Sequence, residues 1–193
     1  MYQAGTLIAR LSQHTFERSG SLQLDGRIES IGGWPSYQKG LTRLLHNSAV
    51  QRYLSTATLH KCERLLATHS DLLTDFDRCR NLVHGDFRPD NILIANDQIV
   101  GVLDWEFSHS GCSYMDIGNL LRHLAPKWQH PLQEGLADAG FALPDNWRFR
   151  AALVDLSSHL EFLTSDRSDT FKHRCVERVE ALIRQNGSGD ALR

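Results

Sequence analysis

The stretch LVHGDFRPDNILIANDQIVGVLDWE, residues 82–106, decides the fold of this chain. Its apolar runs are rich in β-branched residues, and the polar pair at positions 96 and 97 favours a tight turn between them. The sequence therefore predicts a β-hairpin. Because Asn91 precedes the first strand and Asp104 ends the second, we expect these side chains to lie side by side, next to the loop that contains Asp86.

Size and composition predict one globular domain. The chain has 193 residues, of which 41% are apolar and 23% are charged, as is usual for a domain with a sizeable core. We assign residues 1–186 to a single domain and residues 187–193 to a flexible tail, because GSGDALR is small and polar.

Charge and hydropathy argue against several classes of partner. The formal charge is −2, and no basic block suits a nucleic acid backbone. The first twenty residues lack the charged and apolar regions of a signal peptide, and no apolar run is long enough for a bilayer. Four widely spaced cysteines without a CxxC pair suggest reduced thiols. We therefore expect a cytoplasmic protein without nucleic acid or membrane partners.

The rest of the chain is mainly helical by its apolar spacing. The predicted helices run from about residue 7 to Gly20, then over 37–46, 48–69, 115–124, 145–163 and 169–185. Residues 71–81 are expected to form a polar connector, and residues 106–115 a loop. The predicted fold class is α+β, predominantly helical, with a small β-hairpin sheet set into the middle.

The polar side chains around the hairpin suit phosphate and magnesium chemistry. Asn91 and Asp104 supply the hard oxygen ligands that Mg²⁺ prefers. Asp86, five residues before Asn91, could accept a hydroxyl proton as a general base. Arg88 could neutralise charge on a transferring phosphoryl group. A loop Asp, an Asn five residues later and an Asp at the end of a hairpin follow one another in the order used in kinase sites.

On these motifs the chain resembles the C-terminal lobe of the aminoglycoside phosphotransferase-like family, small-molecule relatives of protein kinases. HGDFRPDN matches the family's HGDxxxxN loop, and DWE matches its metal-binding motif. SHSGCSYMDIGNLL resembles the family's Gly-rich turn that leads to an Asp at the head of a helix. LIARLSQHTFERSG resembles the helix that follows the hinge between lobes.

The resemblance implies a role for each matching residue. Asp86 would be the catalytic base or the residue that orients the acceptor hydroxyl. Asn91 and Asp104 would hold Mg²⁺ with ATP or GTP, and Arg88 would contact phosphate. Four further residues are implied as supports or contacts. His84 would brace the loop and Asp116 would brace it from behind. Glu106 would meet metal or substrate, and Trp105 would either do the same or lie in the core.

A complete kinase of this type also has a β-rich N-terminal lobe with a Gly-rich loop, a strand Lys and a helix Glu that grip ATP. None of these motifs occurs upstream of His84. The expectation is a kinase-like C-lobe without its N-lobe: a truncated frame, a split kinase that needs a partner chain, or a lapsed enzyme. We expect an ATP-dependent phosphotransferase acting on a small-molecule hydroxyl, weak or inactive alone.

Two alternatives remain open. A degenerate C-lobe could serve as a nonenzymatic binding or regulatory module. A metal-dependent phosphohydrolase could use His84, Asp86, Asp104 and His109, and this alternative predicts tight binding of a transition metal.

Overall fold

The structure, a computed structural model, describes residues 1–30 and 36–186. Within these residues the chain forms two compact units, one of residues 1–30 and 76–151 and one of residues 36–75 and 152–186. The tail assigned to residues 187–193 lies outside the described residues. No described helix is both long and apolar enough to cross a membrane.

A close helix pair anchors the first unit. Helix α1 (Tyr2–Ser12) packs against helix α7 (Gln129–Asp138). A Cβ on Gly135 would lie 2.0 Å from the carbonyl oxygen of Tyr2, so only a residue without a side chain permits this approach. The pair fixes α1, whose first turn contacts the hairpin described below.

The larger of two antiparallel sheets in this unit has the strand order β2-β1-β6-β3. Its strands are short: β1 (Gly20–Leu22), β2 (Ile28–Glu29), β3 (Asn81–Val83) and β6 (His109–Gly111). Because β3 pairs directly with β6, the segment that follows β3 begins close to where the segment before β6 ends. Both of these segments carry candidate site residues.

The predicted hairpin is confirmed as a separate sheet of β4 (Ile92–Ala95) and β5 (Gln98–Val102). Asn96 and Asp97 join the strands with φ values of 49° and 59°. A type I′ turn requires such left-handed values at both central residues, and Asn and Asp tolerate them better than most residues.

The base of the hairpin aligns the two ends that the sequence analysis singled out. Ile92 lies opposite Val102, and the Leu103 N–H donates to the carbonyl oxygen of Asn91 over 2.8 Å. Asn91 therefore stands directly before one paired strand end, and Asp104 directly after the other.

The second unit is helical. It contains α2 (Tyr37–Leu45), α3 (Ser48–Gln51), α4 (Thr56–Thr68), α9 (Asp169–Asn186), most of α5 (Ser70–Asp77) and the later part of α8 (Trp147–Thr164). Polar side chains cap the first three helices: Ser36, Asn47 and Ser55 accept hydrogen bonds from backbone N–H groups of the first turns. Helix α4 packs against α2 and α9.

The helix boundaries of the first half differ from the predicted ones. Helix α1 ends at Ser12 rather than near Gly20, because the chain beyond it turns and Thr15 pairs with Asn81 of β3. The helix expected over 48–69 is interrupted between α3 and α4, where Ser55 begins a new helix.

Two segments expected to be irregular form regular structure, and one helix was not predicted. The connector 71–81 is largely helix α5, because Leu73 and Phe76 bury one face of it. The loop 106–115 contains β6, whose His-Ser-Gly sequence has little strand preference and pairs on both sides through tertiary contacts. Helix α7 contains Pro131 within its first turn, where proline is tolerated.

The helices predicted in the second half are confirmed. Helix α6 spans Tyr114–Leu121, and α8 and α9 cover the two segments predicted near the C-terminus. The α+β class is confirmed: helices dominate the described residues, with two small antiparallel sheets beside them.

Candidate active site

The candidate site lies on the loop between β3 and β4. Residues 84–88 cross from one sheet to the other, and a single 3₁₀ turn, Pro89–Asn91, leads into β4. Pro89 begins this turn, where its missing N–H costs no hydrogen bond.

The imidazole of His84 joins this loop to the end of the hairpin. The side chain is fully buried, and its Nε2 lies 2.8 Å from the carbonyl oxygen of Leu103, the residue before Asp104. The backbone N–H of Asp86 donates to Nδ1 over 3.2 Å. Since a carbonyl can only accept, Nε2 carries the proton and the ring is neutral. Burial lowers the pKa of His84, which favours the same neutral form.

Asp116, at the start of α6, holds the loop from behind. Its two carboxylate oxygens accept the backbone N–H groups of His84 and Gly85, each over 2.9 Å. Gly85 has φ of +85°, and a Cβ there would lie 2.4 Å from the carbonyl oxygen of Phe107. Glycine is therefore required at this position.

Asn119 completes the support, and sequence reasoning missed it. Its Nδ2 donates to the Gly85 carbonyl over 2.8 Å, and the guanidinium of Arg122 donates to its Oδ1. The available signal was spacing: Asp116 and Asn119 are three residues apart on a helix, so they share a face. Both side chains are buried.

The carboxyl of Asp116 is electrostatically unusual. Burial raises its pKa to about 7, while the hydrogen bonds from the His84 and Gly85 N–H groups act in the opposite direction. The nearby negative charge of Asp86 raises it further. The loop is therefore braced by a carboxyl that titrates far above the usual range for Asp.

Asn91 and Asp86 are brought into direct contact. Asn91 Nδ2 donates to the backbone oxygen of Asp86 over 3.0 Å and to its Oδ2 over 3.1 Å. The Asn91 nitrogen donates to both acceptors, so Asn91 Oδ1 and Asp86 Oδ1 are the two side-chain oxygens that take no part in this contact.

Asp104 is exposed and adopts left-handed backbone angles, φ 66° and ψ 61°. Such angles are uncommon outside glycine, although Asp is among the residues that tolerate them. They turn the chain sharply at the end of the hairpin, into the 3₁₀ turn Trp105–Phe107.

Arg88 forms an ion pair with Asp90, a partner that sequence reasoning also missed. The Asp90 carboxylate raises the pKa of Arg88, and the guanidinium lowers the pKa of Asp90. Asp86 and Asp104 also lie close enough to raise the pKa of Arg88. This cation therefore sits within the field of three carboxylates.

Trp105 and Glu106 differ in their roles. The Trp105 ring packs edge-on against the His84 imidazole, with 4.6 Å between centroids, and its Nε1–H donates to the Val102 carbonyl over 2.9 Å. Trp105 thus closes one side of the buried histidine. Glu106 follows it on the 3₁₀ turn with its side chain exposed.

Comparison with known proteins identifies the family. The model of the APH phosphotransferase enzyme family matches residues 2–153. The chain belongs to this family. Membership confirms the resemblance to aminoglycoside phosphotransferase-like proteins.

Solved structures of similar fold include several phosphotransferases. A Thermobifida fusca YX-ER1 protein described as a fructosamine-3-kinase has a TM-score of 0.67 and 18% identity, with 95% of this chain and 64% of that chain covered. The macrolide 2′-phosphotransferase MphH of Brachybacterium faecium has a TM-score of 0.55 and 16% identity, with 94% of this chain and 57% of that chain covered. The ADP-bound aminoglycoside phosphotransferase APH(2″)-Ib has a TM-score of 0.56 and 16% identity, with 95% of this chain and 61% of that chain covered. The chain thus spans less than two thirds of the length of these three proteins.

The titration of Asp116 predicts a specific pH dependence of stability. Because its folded pKa of about 7 lies above the usual value near 4, the folded state binds the extra proton between these pH values. The contribution of Asp116 to stability should therefore fall as pH rises from about 4 to about 7, by a few kcal/mol at most. Urea unfolding of the wild type and of Asp116→Asn at several pH values measures the difference.

The control is Asp145→Asn, an exposed carboxyl outside the site. The free-energy difference between wild type and Asp116→Asn should decline with rising pH, whereas that for Asp145→Asn should not. A difference for Asp116→Asn that stays constant from pH 4 to pH 7 would show that the buried carboxyl does not titrate in this range.

Proposed function

We propose that this chain carries the hydroxyl-activating and metal-binding half of an ATP- or GTP-dependent phosphotransferase that acts on a small molecule. The observation that carries the proposal is the contact of Asn91 with both the backbone and the carboxylate of Asp86. It joins the expected base to an expected metal ligand within one loop. Family membership and the ADP-bound state of one similar structure support it.

Asp86 is the proposed base. Its backbone is fixed by the His84 ring and the Asn91 amide, so its carboxylate has a defined direction before substrate arrives. Asn91 engages Oδ2, which leaves Oδ1 to accept the proton of an acceptor hydroxyl. Holding the base in place lowers the entropic cost of reaching the reactive geometry.

Asn91 and Asp104 fit a magnesium ion by the chemistry of their donors. The Asn91 nitrogen points at Asp86, so the amide oxygen is available, and Asp104 offers an exposed carboxylate at the adjoining end of the hairpin. Few protein ligands of this hard type, completed by phosphate and water, are usual for Mg²⁺. When bound, the ion would neutralise charge on the nucleotide phosphates.

Arg88 is the proposed phosphate contact. Its Nε is buried without a hydrogen-bond partner among the described residues, while its Nη2 engages Asp90. A phosphoryl group near Asp86 would meet this cation, and arginine suits phosphate because its donors form a planar fork.

The phosphohydrolase alternative fits the site less well. Both ring nitrogens of His84 are engaged, one by Leu103 and one by the Asp86 N–H. A metal ligand needs a free nitrogen lone pair. Among the described residues, no group of three His, Cys, Asp or Glu side chains suits a metal ion.

We predict that the 193-residue chain alone transfers phosphate slowly. None of the six strands in residues 1–30 and 36–186 contains a lysine, and phosphoryl transfer depends on such cations for positioning and charge stabilisation. Incubation of the purified chain with γ-labelled ATP and a panel of hydroxylated metabolites should give turnover well below the about 1 to 100 per second typical of kinases. Turnover within that range would contradict the prediction.

Replacement of Asp86 separates catalysis from simple binding. Asp86→Ala should reduce label transfer to hydroxyls, in prolonged incubations, by about a hundredfold or more, because general-base assistance is worth at least that much. Affinity for Mg²⁺-nucleotide, measured by calorimetry, should change little.

The matched control for this experiment is Asp145→Ala, which removes an exposed carboxylate elsewhere in the same unit. Transfer and binding that both survive Asp86→Ala unchanged would remove support for the catalytic role and favour the nonenzymatic binding module instead.

The metal site is tested by Asp104→Asn. Loss of one anionic ligand should weaken binding of Mn²⁺, a spectroscopic substitute for Mg²⁺, by about tenfold or more, as measured by electron paramagnetic resonance. Asp97→Asn is the control, since Asp97 lies on the same hairpin and also has positive φ. Equal Mn²⁺ affinity in the two variants would contradict the assignment of Asp104.

A further inference from the structure

The far end of the hairpin is held by a single side-chain amide. Gln3, in the first turn of α1, donates through Nε2 to the carbonyl oxygen of Asp97 over 2.8 Å. Its Oε1 accepts the backbone N–H of Ile99, also over 2.8 Å. In a parallel sheet, one residue of a neighbouring strand would form hydrogen bonds with these same two backbone groups. The Gln3 side chain therefore takes the place of one residue of a third strand beside β5.

The hairpin depends on such polar contacts because its apolar packing is weak. Ile94 and Val100 are 67% and 61% exposed. The pairing of β4 with β5 also shifts register between Leu93 and Ile94, which loosens the ladder directly beside Ile99. A two-stranded hairpin with exposed faces has little intrinsic rigidity.

Gln3 itself is well anchored. It lies between Tyr2, whose backbone carbonyl touches Gly135, and Gly5, whose Cα approaches the Leu132 carbonyl at the crossing of α1 and α7. The amide is therefore held by a fixed helix rather than by a mobile surface chain.

We propose that Gln3 is a positioning residue for Asn91 and Asp104. The hairpin is fixed at its base by the His84 contact to Leu103 and at its turn by Gln3. Two points of attachment define the tilt of the hairpin, and this tilt sets how the two oxygen donors at its base are directed relative to the loop that contains Asp86. The inference rests on the proposed function, because it concerns the magnesium ligands named there.

Two variants of Gln3 test the role. Gln3→Leu removes both hydrogen bonds. Gln3→Glu keeps an acceptor for Ile99 but places a carboxylate oxygen against the Asp97 carbonyl. An acidic residue in a first turn favours the helix, so Gln3→Glu should not destabilise α1 while it disturbs the hairpin. The matched control is Gln13→Leu, at the other end of the helix, where the amide donates to the Ala139 carbonyl.

The two hydrogen bonds from Gln3 to the hairpin turn are called the Gln3 clamp below. Amide hydrogen exchange of Ile99, followed by NMR in the full 193-residue chain, reports on this clamp. In Gln3→Leu this amide should exchange about fivefold faster or more, as expected for loss of one net hydrogen bond. Mn²⁺ affinity, measured by electron paramagnetic resonance, reports on positioning and should fall about tenfold in both Gln3 variants. The melting temperature of Gln3→Glu should match that of the wild type, and Gln13→Leu should retain wild-type exchange and affinity.

The outcomes distinguish the clamp from the metal site. Unchanged Ile99 exchange in Gln3→Leu would overturn the clamp. Faster exchange with unchanged Mn²⁺ affinity would overturn the positioning role. If the wild-type chain bound no Mn²⁺, the proposed metal site would fail and the positioning role with it, whereas Ile99 exchange would still report on the clamp alone.

Discussion

The geometry of the candidate site depends on one neutral imidazole. His84 is buried, donates from Nε2 to the Leu103 carbonyl and accepts the Asp86 N–H at Nδ1. The first bond fixes the residue before Asp104, and the second fixes the backbone of the proposed base. A charged imidazole could not accept the Asp86 N–H. Burial, which lowers the pKa of His84, therefore keeps the ring in the one form that joins both sides of the site.

The surroundings of His84 show how a polar loop can be buried at acceptable cost. An unpaired backbone polar group in an apolar environment is expensive. Asp116 accepts the N–H groups of His84 and Gly85, and Asn119 donates to the Gly85 carbonyl. The support has its own electrostatic penalty, since burial raises the pKa of Asp116 to about 7. The position of the loop thus depends on Asp116, a carboxyl whose charged form is disfavoured by its burial.

Charge is distributed unevenly across the site. Asp86, Asp90 and Asp104 lie close enough to Arg88 to raise its pKa, and Asp104 also stands beside Asn91 at the base of the hairpin. An arrangement with surplus negative charge at one point and a guanidinium nearby suits a metal ion and a phosphate group together. The hairpin that presents these oxygens is exposed on both faces, so its orientation depends on hydrogen bonds at its two ends more than on packing.

Local rules of the sequence determined the hairpin, its turn and the neighbouring positions of Asn91 and Asp104, because strand alternation, turn chemistry and the HGDxxxxN spacing act over a few residues. Apolar spacing in the sequence also determined that the segments of α6, α8 and α9 are helical. Tertiary structure alone decided that His-Ser-Gly forms strand β6, that α1 stops at Ser12, and that Asn119 and the Leu103 carbonyl belong to the site. Each of these depends on partners distant in sequence: β6 pairs with β1 and β3, and Asn119 meets Gly85 across 34 positions. Such contacts leave no local pattern, since their free energy arises only when the folded chain brings both partners together.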